Sequence, residues 1–141
     1  KDSHVGSFAV IGIVLLMLTQ FALFASVPAE ANFLILIFIP AVSRCCSALA
    51  VTGLKPMSTS QYADQKKPKT HIVVLSVMLC IFLAAGFLLC GKYGFALAGC
   101  LVGYGLALLR AYRSLGGMNG DVSGYCLTIG ELCAVAMYAL I

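Results

Sequence analysis

The chain has 141 residues, of which 62% are hydrophobic and only 10% are charged, and its mean hydropathy is +1.04. Soluble domains are nearer half apolar and a quarter charged, so this composition excludes an ordinary water-soluble domain and also a disordered chain. The formal charge is +4. The basic residues stand beside apolar runs, so we interpret them as orientation signals and not as a nucleic-acid interface.

Five apolar segments follow one another and predict five membrane-spanning helices. A spanning helix needs about 20 apolar residues. Every backbone amide in hydrocarbon must be bonded within its own segment, which favours helices over strands. The predicted fold is therefore all-α and polytopic, with residues 1–141 forming a single transmembrane domain. The segments are residues 5–26, 31–53, 72–89, 94–109 and 124–141.

The fourth segment contains a small-residue face, Gly99-x-x-x-Gly103. Such faces let helices approach closely. We interpret it as a packing feature and not as a functional site.

The connections between the segments differ in length and charge. Residues 27–30 and 89–93 are predicted to be tight turns, whereas residues 54–70 and 110–123 are predicted to be long polar loops. Five crossings place the amino terminus and both long loops on one side, with seven Lys or Arg residues against one, Lys92, on the other. The positive-inside rule then predicts that the long-loop side is cytoplasmic.

The seven cysteines contain no C-x-x-C pair and lie almost entirely in apolar stretches. Zinc sites need clustered ligands at loop spacing. We therefore interpret these cysteines as small buried hydrophobes, without a metal or a thiol mechanism.

A glycine-rich segment, residues 115–124 (LGGMNGDVSG), leads into the last helix and carries Asn119, Asp121 and Ser123. One interpretation is a flexible loop that ends in a helix N-cap. The other is a phosphate site, because glycines let backbone amides approach an anion and a carboxylate can hold a cation that shares the phosphate oxygens. Residues 1–7 (KDSHVGS) form a charged cluster before the first helix, where Asp2 and Ser3 could cap that helix.

Two charged residues, Arg44 and Glu131, lie inside predicted spans. An ionised side chain near the bilayer centre costs a few kcal/mol on insertion scales, so such residues pair or line a polar cavity. An ion pair between them would suit a transporter or channel subunit, whereas a cavity open to the cytoplasm would suit an enzyme. The usual hydrolase, P-loop and zinc-protease motifs are missing from the sequence, which leaves phosphate chemistry as the favoured class.

Two stretches of the sequence resemble motifs of the cobalamin synthase family. Residues 1–10 (KDSHVGSFAV) are similar to its K-D-S-x-x-G-x-F/G stretch. Residues 116–124 (GGMNGDVSG) with Glu131 are similar to its G-G-x-T-G-D-x-x-G-x(6)-E stretch. The two stretches stand in the family's order, with apolar helices between them, so the resemblance covers essentially the whole chain.

The resemblance implies a Mg²⁺-dependent membrane transferase that joins α-ribazole, or its 5′-phosphate, to adenosylcobinamide-GDP and releases GMP, late in adenosylcobalamin (vitamin B12) biosynthesis. Its partners would be these small molecules and the lipid bilayer, with no nucleic acid and with a homo-oligomer left open. It would lie in a bacterial or archaeal cell (inner) membrane with its active face in the cytoplasm. The implied substrate and phosphate ligands are Lys1, Ser3, Arg44, Arg110, Asn119 and Ser123, and the implied Mg²⁺ ligands are Asp2, Asp121 and Glu131, with Asp121 as the catalytic residue.

The sequence departs from the family pattern in two ways. Thr128 stands where many relatives carry Glu, and Asn119 replaces the usual Thr. The family also has an upstream acidic signature of the D-x-x-A-D-x-x-D-G kind, which is not among these residues. We therefore expect the chain to be the carboxyl-terminal part of a longer enzyme, with little or no activity alone.

Overall fold

The computed structural model describes residues 6–57 and 69–141 and shows an all-α protein, as predicted. Its described residues contain no strand, and their only extended pairing is an isolated bridge between Pro56 and Met118. The elements are α1 (Ser7–Ala25), α2 (Ile35–Gly53), α3 (Lys69–Cys90), a 3-10 turn (Gly91–Gly94), α4 (Phe95–Leu115) and α5 (Gly120–Leu140).

Four continuous helical stretches are long and apolar enough to cross a membrane. The third, Thr70–Leu115, has 46 residues and contains both α3 and α4. A straight helix of that length would measure about 69 Å, far more than the roughly 30 Å of hydrocarbon in a bilayer. The chain turns at Gly91, whose φ of 55° lies in the left-handed region that favours glycine.

The directions of the helices follow from their contacts. The side-chain amide of Asn32, just before α2, donates to the carbonyl of Leu89 near the end of α3, 3.2 Å away. Leu97, at the start of α4, packs in the same cluster as Ile35 at the start of α2. The chain therefore arrives at this end of the bundle through α3 and leaves it through α4, so that α4 runs alongside α2.

The structure corrects the predicted loop at residues 110–123. Helix α4 continues to Leu115 and α5 begins at Gly120, which leaves only residues 116–119 between them. Arg110 and Arg113 therefore lie on the last turns of α4, where basic side chains interact favourably with the helix dipole. The helix stops at Gly116, which has a φ of 71° and donates its N–H to the carbonyl of Tyr112 at 2.9 Å.

The bundle is organised around the contact between α4 and α5, with α2 packed against both and against α3. Gly99 and Gly103 face Cys133 of α5, which confirms that the small-residue face packs helices. In contrast, α1 buries none of its residues and contacts the bundle mainly through α5. Its large apolar side chains are exposed among the described residues.

All seven cysteines are free thiols, and four of them are buried: Cys45, Cys90, Cys100 and Cys126. Cysteine is small and behaves as a hydrophobe in a packed core. Cys80 is the exception, because its side chain is exposed on α3.

We predict that Gly103→Ala destabilises the protein by about 1–3 kcal/mol, the usual cost of overpacking a tight contact. The added Cβ would lie 2.6 Å from both Cβ and Sγ of Cys133. The matched control is Gly105→Ala on the same helix, where a Cβ meets nothing within 4 Å. That variant is expected to be neutral or to stabilise by up to about 1 kcal/mol, because Ala favours helix over Gly. Unfolding in mixed detergent micelles measures both, and equal losses would contradict the prediction.

Candidate functional site

The connection between α4 and α5 is held against the end of α2. The N–H of Met118 donates to the carbonyl of Lys55 at 2.9 Å, and the N–H of Met57 donates to the carbonyl of Met118 at 3.0 Å. A Cβ on Gly117 would lie 2.7 Å from Cγ of Met57, so only glycine fits there without a shift. The backbone that leads into α5 therefore has a defined position, and this part of the predicted flexible loop is ordered.

Asn119 caps the start of α5. Its side-chain oxygen accepts a hydrogen bond from the N–H of Val122 at 2.8 Å, and its carbonyl accepts from the N–H of Ser123 at 3.1 Å. This satisfies amides that have no partner within the helix. For Asn119, the structure therefore favours the first of the two interpretations of this segment, in which this residue is a helix N-cap.

Asp121 lies in the first turn of α5 and is exposed. It opens onto a cavity of about 270 Å³ that is lined by Met57, Ala111, Leu115, Asn119, Asp121, Val122 and Tyr125. A carboxylate in the first turn also interacts favourably with the helix dipole. The carboxylate therefore has a structural benefit at this position and is free to contact a ligand in the cavity.

The end of the bundle that carries Asp121 also carries exposed basic residues. Arg110 and Arg113 lie on the last turns of α4, and Lys55 follows α2. At the opposite end, Lys92 donates from Nζ to the carbonyl of Ile141 at 3.0 Å and lies over the ring of Tyr93. The described residues thus bring one carboxylate and three basic side chains to the same end, a combination that suits a phosphate-bearing ligand.

Ser123 lies inside the bundle. Its side chain is 8% exposed, and its hydroxyl contacts the hydroxyl of Ser47 on α2. The hydroxyl of Tyr104 on α4 lies beside both, although it has no hydrogen-bond partner of good geometry among the described residues. The structure therefore places Ser123 in the helix interface, away from the cavity next to Asp121, because α5 turns it inward.

Glu131 contacts Ser43 and not Arg44. The hydroxyl of Ser43, which is fully buried, donates to Oε1 of Glu131 at 2.7 Å, whereas the side chain of Arg44 is exposed. Consecutive residues of a helix point about 100° apart, so α2 cannot turn both side chains toward α5. Within residues 6–57 and 69–141 the two charges form no ion pair. The intramembrane pair on which the transporter or channel alternative depended is therefore wrong.

Asp121 and Glu131 do not belong to one metal site. Helix α5 is unbroken between them, and ten residues of helix rise about 15 Å. No group of three His, Cys, Asp or Glu side chains within the described part of the chain is close enough to share an ion. The other predicted ligands, Lys1, Asp2 and Ser3, lie outside the described residues.

Comparison with known proteins links this geometry to a family. The cobalamin-5-phosphate synthase family model (CobS) matches residues 1–139. The chain belongs to the cobalamin-5-phosphate synthase family. It is 35% identical over its whole length to an adenosylcobinamide-GDP ribazoletransferase of Clostridium perfringens (strain SM101 / Type A), of which it covers 58%.

More distant relatives carry the same name. The chain is 31% identical to the adenosylcobinamide-GDP ribazoletransferase of Lachnoclostridium phytofermentans, with 95% of the chain and 53% of that protein aligned. It is 28% identical to that of Clostridium botulinum (strain Alaska E43 / Type E3), with 94% of the chain and 54% of that protein aligned. The chain thus spans a little over half the length of these relatives. No solved structure matches it.

This member of the cobalamin-5-phosphate synthase family contains polar contacts that the sequence did not single out. Ser43 bonds Glu131 across two helices, and Gln20 of α1 lines a cavity together with Glu131. The four-residue spacing of Ser43 and Ser47 was a usable signal, since it places two hydroxyls on one face of α2. The contact of residues 55–57 with Met118 left no signal, because backbone pairing does not depend on the side chains.

We predict that Asn119→Ala destabilises the protein by about 1 kcal/mol and that Asn119→Ser retains most of the stability, because serine also caps helices. Thermal unfolding in detergent compares the two variants. If Asn119→Ala is as stable as wild type, the cap contributes nothing to stability and the prediction is wrong. Any effect of this variant on ligand binding would then have a cause other than the loss of the cap.

Proposed function

We propose that the full-length protein containing this chain is an adenosylcobinamide-GDP ribazoletransferase, a membrane enzyme that joins α-ribazole or its 5′-phosphate to adenosylcobinamide-GDP and releases GMP. The family match over residues 1–139 carries this proposal. It is supported by the exposed Asp121 at the start of α5, beside a cavity, at the end of the bundle where Lys55, Arg110 and Arg113 lie.

The reaction is a substitution at phosphorus. A ribose hydroxyl of the ribazole attacks the phosphorus on the cobinamide side of the diphosphate, and the bond from that phosphorus to the bridging oxygen breaks. GMP leaves with the bridging oxygen, and a hydroxyl nucleophile loses its proton. Such a reaction depends on positioning and on stabilising negative charge on the phosphoryl oxygens.

The chain provides groups for both tasks. Arg110 and Lys55 present cations to the diphosphate, and the guanidinium of Arg110 can bind two phosphate oxygens at once. The N–H groups of Val122 and Ser123 are bonded to Asn119, so the start of α5 adds mainly the positive end of the helix dipole, which favours an anion. Asp121 is the residue that we place in contact with the reacting groups.

Magnesium is part of the proposal, and the described residues provide one carboxylate that could hold it. Mg²⁺ is commonly held by one or two carboxylates together with substrate phosphates and waters, and Asp121 supplies one exposed carboxylate at the right end of the bundle. When bound there, the ion would neutralise charge on the diphosphate. Glu131 is too far along α5 to contribute to this ion.

Residues outside the described ranges complete the proposed site. We propose that Lys1, Asp2 and Ser3 act with the cavity at Asp121, and that activity needs the full-length protein. We also propose that the Asp121 end faces the cytoplasm of a bacterial or archaeal cell membrane, which the excess of Lys and Arg at that end supports.

We predict that Asp121→Asn in the full-length protein lowers transfer from adenosylcobinamide-GDP to α-ribazole by about 100-fold or more, since the amide keeps the size of the side chain but loses the charge that holds the metal. Thr128→Val is the matched control on α5, because its exposed hydroxyl bonds the carbonyl of Gly124 and nothing else among the described residues. The control is expected to retain activity within about twofold. Membrane insertion is checked for both, and full activity of an inserted Asp121→Asn protein would remove Asp121 from the mechanism.

We also predict that chelation of divalent cations abolishes transfer and that added Mg²⁺ restores it. If Asp121 holds the ion, Asp121→Glu should retain some activity but require a higher Mg²⁺ concentration, because the longer side chain displaces the carboxylate. Titration of Mg²⁺ against initial rate measures this. An unchanged Mg²⁺ requirement in Asp121→Glu would place the ion elsewhere.

A further inference from the structure

A second cavity, of about 180 Å³, lies between α1, α2 and α5 and extends from the middle of α5 toward the end of α1 and the start of α2. Five of its lining residues are apolar: Phe24, Leu36, Ile39, Pro40 and Val135. The other two, Gln20 and Glu131, are polar. The cavity is about 15 Å along α5 from Asp121, so the proposed phosphate chemistry does not use it.

Both polar side chains are costly at this depth. Glu131 accepts a hydrogen bond from Ser43, but no cation pairs with it among the described residues. Gln20 is half-buried and has no hydrogen-bond partner in the same part of the chain. Polar groups inside a membrane protein are usually satisfied or functional, so these two groups indicate a ligand.

A third polar group belongs to the backbone. Pro40 has no N–H, so the carbonyl of Leu36, four residues earlier, lacks the hydrogen bond that a helix normally gives it. Both residues line the cavity. The side chains of the wall therefore offer a carboxylate, which accepts, and an amide, which both donates and accepts.

This set of groups matches a primary carboxamide. A carboxamide has N–H donors, which suit the carboxylate of Glu131, and one oxygen acceptor, which suits the N–H₂ group of Gln20. A ligand carboxylate would be repelled by Glu131. The volume corresponds to about six water molecules at roughly 30 Å³ each, which is room for a short amide-ended arm and not for a macrocycle.

We propose that this cavity binds a carboxamide arm of the corrinoid substrate, with the arm's N–H₂ group donating to Glu131 and its oxygen accepting from Gln20. The inference rests on the proposed function, because the relatives' name specifies a cobinamide, a corrinoid whose arms end in carboxamides. A corrinoid joined to a nucleotide would then lie along the first half of α5, with its diphosphate at Asp121 and one arm at Glu131. Gln20 and Phe24 of α1 form one side of the cavity.

The first experiment measures steady-state kinetics of the full-length protein with Gln20→Leu. Loss of a hydrogen bond to the arm is expected to raise KM for adenosylcobinamide-GDP about five- to tenfold, while KM for α-ribazole stays within twofold. Thr19→Val is the control, since Thr19 is the exposed neighbour on α1 and its hydroxyl bonds the carbonyl of Leu15. Equal changes in both KM values, or the same change in the control, would overturn the inference.

The second experiment reverses the charge preference. The substrates are analogues of adenosylcobinamide-GDP, in each of which one arm carboxamide is hydrolysed to a carboxylate. Wild type is expected to use at least one analogue tenfold or more less well than the parent substrate, because the new carboxylate on that arm is repelled by Glu131. Glu131→Gln should recover most of the loss for that same analogue. A helix-packing role for Glu131 would not produce this rescue, so an identical order of preference in both proteins would overturn the inference.

Direct binding separates the two proposals. Adenosylcobinamide without the nucleotide lacks the diphosphate, and titration calorimetry with the full-length protein measures its affinity without any transfer. Weaker binding by Gln20→Leu and not by Thr19→Val supports the arm site even if wild type transfers nothing, in which case only the proposed activity fails. Equal affinities, or no binding by wild type, would overturn the arm site while leaving the Asp121 results unaffected.

Discussion

Hydrocarbon provides no hydrogen-bond partners, and this constraint explains where the protein puts its few polar side chains. Among the described residues, Asp121, Arg110 and Arg113 lie at one end of the bundle, where water or a ligand can reach them. Inside the bundle, the hydroxyls of Ser43 and Ser47 on α2 contact Glu131 and Ser123 on α5. These buried polar contacts hold α2 and α5 together.

Helix α2 connects the two candidate sites. Its C-terminal extension fixes the turn before α5 through the backbone bonds of Lys55 and Met57 to Met118. Near its middle, Pro40 frees the carbonyl of Leu36 and Ser43 holds Glu131. A shift of α2 relative to α5 would therefore change the cavity at Asp121 and the cavity at Glu131 together.

Much of the fold was predictable because hydrophobicity and length decide where a chain can cross a bilayer. All five predicted apolar segments correspond to helices, and the G-x-x-x-G face packs as expected. The boundaries were harder, because Arg110 and Asp121 are polar yet helical. A hydropathy pattern ends a span at the first charge, whereas the helix continues to Gly116, where a positive φ stops it.

The site was predictable in composition but not in geometry. The family motif identifies Asp121 and Glu131 as notable residues, and the sequence alone suggests that Arg44 pairs with Glu131 because their depths agree. The depth of a helical residue in the bilayer gives its position along the helix axis but not the direction in which its side chain points. The rotation of α2 about its own axis decides that direction, and it turns Ser43 toward α5 and leaves Arg44 exposed. Rotation depends on packing across several helices, which no local pattern encodes.

The separation of Asp121 and Glu131 along α5 favours two tasks over one. A single metal site needs its ligands within a few ångströms of each other, whereas ten residues of unbroken helix keep these carboxylates about 15 Å apart. Asp121 is exposed beside basic residues and suits an ion shared with phosphates. Glu131 is partly buried and lines a cavity together with Gln20, and suits a neutral hydrogen-bond donor. One rigid helix would then hold the two ends of a long substrate at a fixed distance, which orients the diphosphate for attack.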